Sequence, residues 1–373
     1  MGAKWWRRQR RRRKPSRAGP ARVSERVIIA LDAMGGDRAP DMVLKGASIA
    51  LQRFPQVEFL LYGVESRIRP VLAKLPRLAQ RATIHHTDDM ITGDAKPSVA
   101  LRAGRRSSMR LAIDAVADGE AHSVVSAGNT GALMAMAKFA LKMLPGIDRP
   151  AMASFFPTQR GESVMLDLGA NIECDADNLV QFALMGDVFA RTVLGVQQPT
   201  VGLLNVGAED LKGNDAVRGA SARLRGAGSP IRFHGFVEGD DIGAGTVDVV
   251  VTDGFTGNVA LKTAEGTARL YAEFLRAAFK NSLSARIGYW LAASSLHKLR
   301  ERLDPRRYNG AVFLGLQGIC VKSHGSADAH GFANAIGVAV DLKINGFLDK
   351  IRDGVARLNA LQAPVDKPQS AAL

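Results

Sequence analysis

Cysteine is nearly absent from this chain of 373 residues: Cys174 and Cys320 stand alone, with no CxxC pair. That excludes a disulfide framework and a structural zinc site, and it fits a reducing cytoplasm. Neither thiol has a nucleophile-like setting. Long apolar runs are missing as well; none reaches the roughly 20 residues that a membrane-spanning helix needs. There is no GxxxxGK[ST] for a nucleotide triphosphate, no GxGxxG for a dinucleotide, and no HExxH or Cys/His cluster for a metal. The expectation is therefore chemistry without a metal or other cofactor.

Acidic residues are in deficit, 36 against 50 Lys and Arg, for a net charge of +14. The excess is local. Residues 1–26 hold eleven basic residues and one Glu, which leaves only four positive charges net for everything from Val27 onward. This stretch reads as a disordered basic tail, because its charges repel, Pro15 and Pro20 break helices and little apolar surface is present to bury. It lacks the apolar core of a signal peptide. A solvated extension is the favoured reading; a basic arm for RNA or an anionic bilayer, with Trp5 and Trp6 at the interface, is the alternative.

What the chain has in abundance is glycine, 38 residues, concentrated where strand-like runs end. Six turns follow this pattern: DAMGGD (32–37), SAGNTG (126–131), LDLGAN (166–171), NVGAEDLKGND (205–215), TDGFTGN (252–258) and KSHGSAD (322–328). Such turns leave backbone N–H groups unpaired at strand mouths, where an anion can be held.

Periodicity predicts strands at 27–32, 57–63, 82–87 and 121–125, and helices at 40–53, 65–79, 98–117 and 132–144, the last stopped by Pro145-Gly146. Residues 152–158 and 163–169 read as a hairpin around Gly161. A long helix at 176–194 follows, with Asp175 or Asp177 as N-cap. Further strands are expected at 200–206, 231–237 and 246–252, the last followed by the turn DGFTGN and a helix. The alternation predicts an α/β fold with a doubly wound, mostly parallel sheet, whose ligands bind at the C-terminal strand ends, where most of the six turns should collect. The domain is expected to span 27–350, with 351–373 a C-terminal tail.

The segments DAMGGDRAPDMVLKG, SAGNTGALMAMAKF, GIDRPAM, LDLGANIECDADNLVQFALMGDVF, VGLLNVGAEDLKGN, VTDGFTGNVALKTAEG and YNGAVFLGLQGICVKSHGSAD together resemble the bacterial phosphate acyltransferase (PlsX) family. The match runs in order from about Val27 to about Leu348. The resemblance implies a fold like that of isocitrate dehydrogenase and phosphotransacetylase, and a homodimer. It implies transfer of a fatty acyl group from acyl carrier protein to inorganic phosphate, giving acyl phosphate for phospholipid synthesis. Acyl-coenzyme A remains open as the thiol donor, because sequence alone does not separate it from the carrier protein.

Thioester phosphorolysis needs a phosphate site, donors for the developing oxyanion, and protection from water. Lys212 is the leading cation and Asn258 the leading neutral donor, with Thr256 and the Gly257 amide beside it; Asn258 also suits a helix N-cap. Asp253, like Asp167, stands at a strand end where a carboxylate can orient Lys212 or accept a proton. Phosphate contacts are expected from Gly35, Gly36, Ser126, Gly128, Asn129, Thr130, Asn171 and Ser326, with Asp32 and Asp37 bracing loops. His324 is a candidate acid for the leaving thiol or a loop-placing residue; the family more often reads HGSSD, so Ala327 departs from the pattern. A scaffold protein on a retired enzyme fold, with an RNA-binding tail, is the alternative from another class. It need not keep Asn129, Lys212, Asp253 and Asn258, all of which are present; no nucleic acid partner is expected.

Residues 267–304 are predicted to form a protruding helical hairpin. Leu283, Ile287, Trp290, Leu291 and Leu296 make an apolar tip, flanked by Lys280, Arg286, Lys298, Arg300 and Arg302. That composition suits peripheral attachment to an anionic membrane surface, where a membrane-bound enzyme would accept the acyl phosphate. Burial of the same helices against a partner subunit is the alternative.

Overall fold

The structure, a computed structural model, describes residues 26–226, 229–302 and 304–362. The basic tail, apart from Arg26, and residues 363–373 lie outside the described residues. In chain order the elements are β1 (Val27–Asp32), α1 (Asp41–Arg53), β2 (Val57–Gly63), α2 (Glu65–Leu72), α3 (Pro76–Ala79), β3 (Ala82–His86), α4 (Pro97–Ala103), α5 (Ser108–Ala117), β4 (Ser123–Ser126), α6 (Thr130–Leu141), β5 (Ala151–Thr158) and β6 (Gly161–Leu166). There follow α7 (Ala176–Leu194), β7 (Thr200–Leu204), α8 (Asp215–Leu224), β8 (Arg232–Val237), α9 (Gly239–Ala244), β9 (Val249–Val251), α10 (Gly254–Lys280), α11 (Leu283–Arg302), β10 (Ala311–Leu314), β11 (Ile319–Lys322), α12 (Ala329–Ile344) and α13 (Phe347–Gln362).

The strands form one sheet in the order β3-β2-β1-β4-β11-β10-β5-β6-β9-β7-β8. Pairing is parallel on both flanks, while the three central pairs, β11 with β10, β10 with β5 and β5 with β6, are antiparallel. Three reversals leave β6, β9, β7 and β8 running opposite to β1, β4 and β11. Apolar runs such as VIIAL and VVV are buried on both faces, as parallel strands require. One face is covered by α1, α7 and α12, through residues such as Leu44, Phe182 and Phe332. Across the first half the opposite face is covered by α5 and α6, through Met109, Ile113, Leu133 and Met136.

Elements with strong local signals fall where the pattern puts them. Asp175 caps α7 in a reciprocal capping box with Asn178, and Gly195 ends the helix in the left-handed region, φ 66°. Others are divided. The helix expected at 65–79 breaks before Pro76, which opens α3 at its first turn. That expected at 98–117 stops at Gly104 and restarts when Ser107 accepts from the Arg110 amide at 3.2 Å. Helix α6 ends at Leu141 rather than Leu144, because Met143 bridges to Leu316 and the Leu144 amide donates to Gly315 O at 2.8 Å.

The expected turn DGFTGN is helical from Gly254 onward, so α10 runs unbroken from the strand mouth into the hairpin. Helices α10 and α11 form that hairpin, and Phe279 meets Tyr289 edge-on at 5.3 Å near its end. Leu283, Ile287, Trp290 and Leu291 are 60–77% exposed; the side chains of Lys298, Arg300 and Arg302 lie outside the described residues. Among the described residues no helix is long and apolar enough to cross a membrane. The body does not stop at residue 350: α13 continues to Gln362 and buries Ile351 and Val355 in the main core.

Two glycines of α10 carry opposite expectations. A Cβ at Gly257 would overlap the backbone carbonyl of Asp167, whereas one at Gly266 meets nothing within 4 Å. Gly257→Ala is expected to destabilise by about 1–3 kcal/mol through overpacking, and Gly266→Ala to stabilise by up to about 1 kcal/mol through helix propensity. Urea unfolding followed by circular dichroism checks both signs; equal stability of Gly257→Ala and the parent would refute the close approach.

Candidate active site

Three of the six turns meet at the C-terminal ends of β1, β4 and β11. The Asp37 amide donates to Gly325 O at 3.0 Å, and the Ser323 amide donates to Ser126 O at 2.9 Å. Gly35 lies so close to Asp32, Ser126 and the Gly128 amide that no side chain fits there. Beneath these turns runs a polar row. Lys322 is in register with Ser126, and Asp32 follows the pair Leu31–Val125, so the three residues occupy adjacent strands at one level. They share a face, since Ala30, Val124 and Cys320, each two residues back, belong to one apolar cluster.

The row is deeply buried and mostly satisfied. Asp32 accepts from Ser108 Oγ and Ser126 Oγ, both at 2.7 Å, and from the Met34 amide at 3.3 Å. Burial nevertheless raises its pKa, against those hydrogen bonds. Lys322, 8% exposed, donates to the carbonyl of Ser323, the first residue past the strand. Burial pulls its ammonium down to about 8, opposed by the nearby charges of Asp32 and Asp37.

Helix α6 starts at the same mouth. Its cap is Asn129, whose Oδ1 accepts from the Ala132 amide at 2.8 Å while its Nδ2 donates to Gly93 O at 2.7 Å. The side chain expected to contact a ligand thus fixes the helix start, and the first-turn amides at Thr130 and Gly131 are the ones without an intrahelical acceptor. His324 is exposed: its amide donates to Asn309 Oδ1 at 2.9 Å, and its Nδ1 pairs with Ser326 Oγ at 2.9 Å. Arg38 reaches across to Ser326 O at 3.3 Å.

The other three turns lie at the ends of β6, β9 and β7. Asp167, fully buried, organises its own turn, accepting from the amides of Met152 (2.9 Å), Gly169 (3.2 Å), Ala170 (3.0 Å) and Asn171 (2.7 Å) and from Asn171 Nδ2 (2.8 Å). Asn171 also donates to Pro150 O at 2.7 Å, so its amide is occupied. Asp253, not Asn258, caps α10, accepting from the amide and hydroxyl of Thr256, both at 2.8 Å. Asn258 sits one turn into the helix, half-buried, facing Gly169. Lys212 is exposed on its turn, which Asn205 closes by donating to Gly207 O and Lys212 O at 3.1 and 3.2 Å. Among the described residues no ion pair joins Lys212 to Asp253. Cys174 lies near Asp167 and Asp253, and burial together with their charges pushes its thiol up to about 12; burial does the same to Cys320.

The six turns therefore collect in two groups rather than at one rim. Asp167 lies beside Met152, Met152 pairs with Phe313 and Phe313 with Cys320, three inter-strand steps or about 14 Å along the sheet. The groups also open in opposite directions, because of the central reversals. The hairpin links them: α10 leaves the second group at Asp253, and the chain returning from α11 reaches Asn309, which is bonded to Ser323 and His324 of the first. The two helix starts differ in charge. A carboxylate already occupies the start of α10, whereas α6 has a neutral cap with a buried ammonium nearby, so an added anion is better received at the first group. Lys322, Ser108 and Asn309 were not among the residues expected from sequence. Lys322 did leave a signal, a charge at an inward position of the strand ICVK.

The chain is similar to known proteins over most of its length. The profile described as "Fatty acid synthesis protein" matches residues 27–350. A phosphate acyltransferase from Rhodospirillum centenum is 69% identical over 349 residues, 93% of this chain and 98% of its own length. One from Rhodospirillum rubrum is 61% identical, over 92% and 98% of the two chains. Among solved structures, a phosphotransacetylase from Streptococcus pyogenes superposes with a TM-score of 0.59 at 18% identity, covering 86% of this chain and 95% of its own. A branched-chain phosphotransacylase from Enterococcus faecalis reaches 0.55 at 13%, covering 85% and 99%. At those identities the structures establish a shared fold.

The burial of Lys322 has a stability signature. A lysine whose folded pKa is depressed contributes stability that is fully present above its unfolded pKa and lost as pH falls through the folded one. Between pH 10 and 8 the parent should therefore lose stability relative to Lys322→Met by up to about 1.4 kcal/mol per pH unit, and below pH 8 the difference should level off. Urea unfolding of both proteins across this range tests it; a pH-independent difference would contradict the burial.

Proposed function

The chain belongs to the fatty acid synthesis protein family, in which its relatives are phosphate acyltransferases, and from that premise we propose that it transfers a fatty acyl group from acyl carrier protein to inorganic phosphate. The acyl phosphate then serves phospholipid synthesis. The observation that carries this reading is the convergence of three glycine turns on the neutral-capped start of α6, above a buried lysine. Hydrogen phosphate attacks the thioester carbon, the C–O bond forms, the C–S bond breaks, and the phosphate proton ends on the departing sulfur. No acyl-enzyme is needed, which suits a chain whose two thiols are held protonated.

In this proposal the first group binds phosphate through the amides of Gly36 and Thr130, while those of Gly35 and Gly128, expected from sequence to contact it too, donate to Asp32 O at 3.3 Å and Ser126 Oγ at 3.0 Å and shape the loops, with Ser126 and Asp32 holding them from below and Ser326 at the rim. His324, whose Nε2 has no partner among the described residues, takes up the proton that phosphate gives up and passes it to sulfur. The second group serves the thioester: Lys212 and Asn258 polarise its carbonyl, while Thr256 and the Gly257 amide, expected from sequence as donors to the ligand, are committed to Asp253 (the Gly257 amide to Asp253 O at 2.9 Å) and with Asp253 and Asn171 fix the start of α10 and the turn beside it. Long side chains and the substrate itself span the gap between the groups. The protein acts as a homodimer in the cytoplasm. There the apolar hairpin tip rests on the inner face of the plasma membrane and delivers its labile, hydrophobic product to a membrane-bound acceptor enzyme.

Incubation with a long-chain acyl carrier protein and labelled phosphate is expected to yield acyl phosphate, and acyl-coenzyme A to be a poorer donor; the reverse order would assign the donor to coenzyme A. Lys212→Ala and Asn258→Ala should each lower kcat/KM for the acyl donor on the order of 10²-fold, with the phosphate KM unchanged. For the tip, protein lacking residues 1–26 should float with anionic liposomes, and Leu283→Glu or Trp290→Glu should abolish flotation. A tail-less parent that stays in the pellet would remove the membrane role.

A further inference from the structure

The buried ammonium of Lys322 lies where its strand gives way to the turn, and the contacts around it leave it underused. Among the described residues its hydrogen bond goes to the Ser323 carbonyl, one of three that an ammonium can make. Ser126, beside it in register, is already committed, donating to Asp32 and accepting from the Gly128 amide at 3.0 Å. Asp32 of the same buried row and the exposed Asp37 of the turn after β1 both act on its charge. A lysine at this depth costs several kcal/mol unless something compensates it.

We propose that Lys322 is the positioning cation of the phosphate site, its charge offsetting Asp32 and holding the phosphate dianion above the turns of β1, β4 and β11. The assignment rests on the phosphate acyltransferase reading and adds to it a residue and a pH dependence. The ionisable groups that face Lys322 are Asp32 from β1, Asp37 from the turn after it and Cys320 from its own strand; β4 contributes neutral Ser126, α5 neutral Ser108, and β10 opposes it with Ala311. With Lys322 neutral, the dianion would face Asp32 without a counter-charge. Phosphate binding should therefore weaken as Lys322 loses its proton at alkaline pH, although phosphate itself only gains negative charge there.

The test measures kcat and the phosphate KM of the full-length enzyme between pH 6.5 and 9.5, with acyl carrier protein as saturating donor. In the parent the phosphate KM should climb up to tenfold per pH unit once Lys322 titrates. Lys322→Met should show a phosphate KM raised on the order of 10- to 100-fold at pH 7, the scale of one charged hydrogen bond, with no further alkaline rise. Lys322→Arg should retain part of the affinity and also lose the rise, since guanidinium stays charged. A folded Lys322→Met with a phosphate KM within threefold of the parent would overturn the assignment. So would a fall in kcat alone, which would make Lys322 an acid for the leaving thiol. If neither variant folds, phosphate binding to the parent read directly by phosphorus NMR decides: equal affinity at pH 7 and 9.5 sinks the idea. Should the parent turn over no acyl thioester, the functional reading fails on its own, and the same NMR titration still reports whether Lys322 governs phosphate.

Discussion

Three consecutive antiparallel pairings at the centre of the sheet set the rest of this architecture. In a sheet wound in one sense, every strand mouth opens on one edge and a ligand gathers its contacts there. Here the sense reverses between β11 and β6, so the mouths face opposite ways and the glycine turns divide into two sets of three. Anything that touches both sets must lie across the middle of the sheet. The hairpin is placed by the same constraint, since its two ends belong to different sets.

Within each set a buried aspartate holds the loops. Asp32 and Asp167 are both excluded from water, and each is stabilised by hydroxyl or amide donors rather than by a bonded cation. An unpaired buried carboxylate is costly, and leaving any of these donors without its acceptor would cost about 1–3 kcal/mol. The turns are thereby fixed before any substrate arrives, which is what a site acting through preorganised amides requires. The difference between the sets lies in what surrounds the aspartate: Lys322 lies one strand beyond Ser126 in the first, and the carboxylate of Asp253 lies at the helix start in the second.

Much of this was legible in the chain because its signals are local. The runs at 27–32 and 57–63, the hairpin around Gly161 and the α7 helix with its Asp175 cap each declare themselves within a few residues. The start of α10 was misread for a local reason: two glycines in DGFTGN suggest a turn, whereas Asp253 caps a helix that uses Gly257 to approach the Asp167 backbone. The row of Asp32, Ser126 and Lys322 was not legible, because it joins residues up to 290 positions apart through strand register alone. Nor was the reversal of the sheet, since β10 and β11 are four residues each and too short for a periodicity to show.

Those two short strands also fix an order of events during synthesis. They occupy the middle of the sheet, between β4 and β5, yet they are the last strands to emerge. Until residues 311–322 leave the ribosome, each half of the molecule carries an open edge of unpaired amides and carbonyls, one along β4 and one along β5. Such edges are templates for pairing with other chains. The helical hairpin that precedes β10 doubles the chain back on itself, with Phe279 against Tyr289, so it shortens the effective distance the closing strands must travel. The nascent protein is most exposed to aggregation in its final sixth, just before the centre of the sheet is filled.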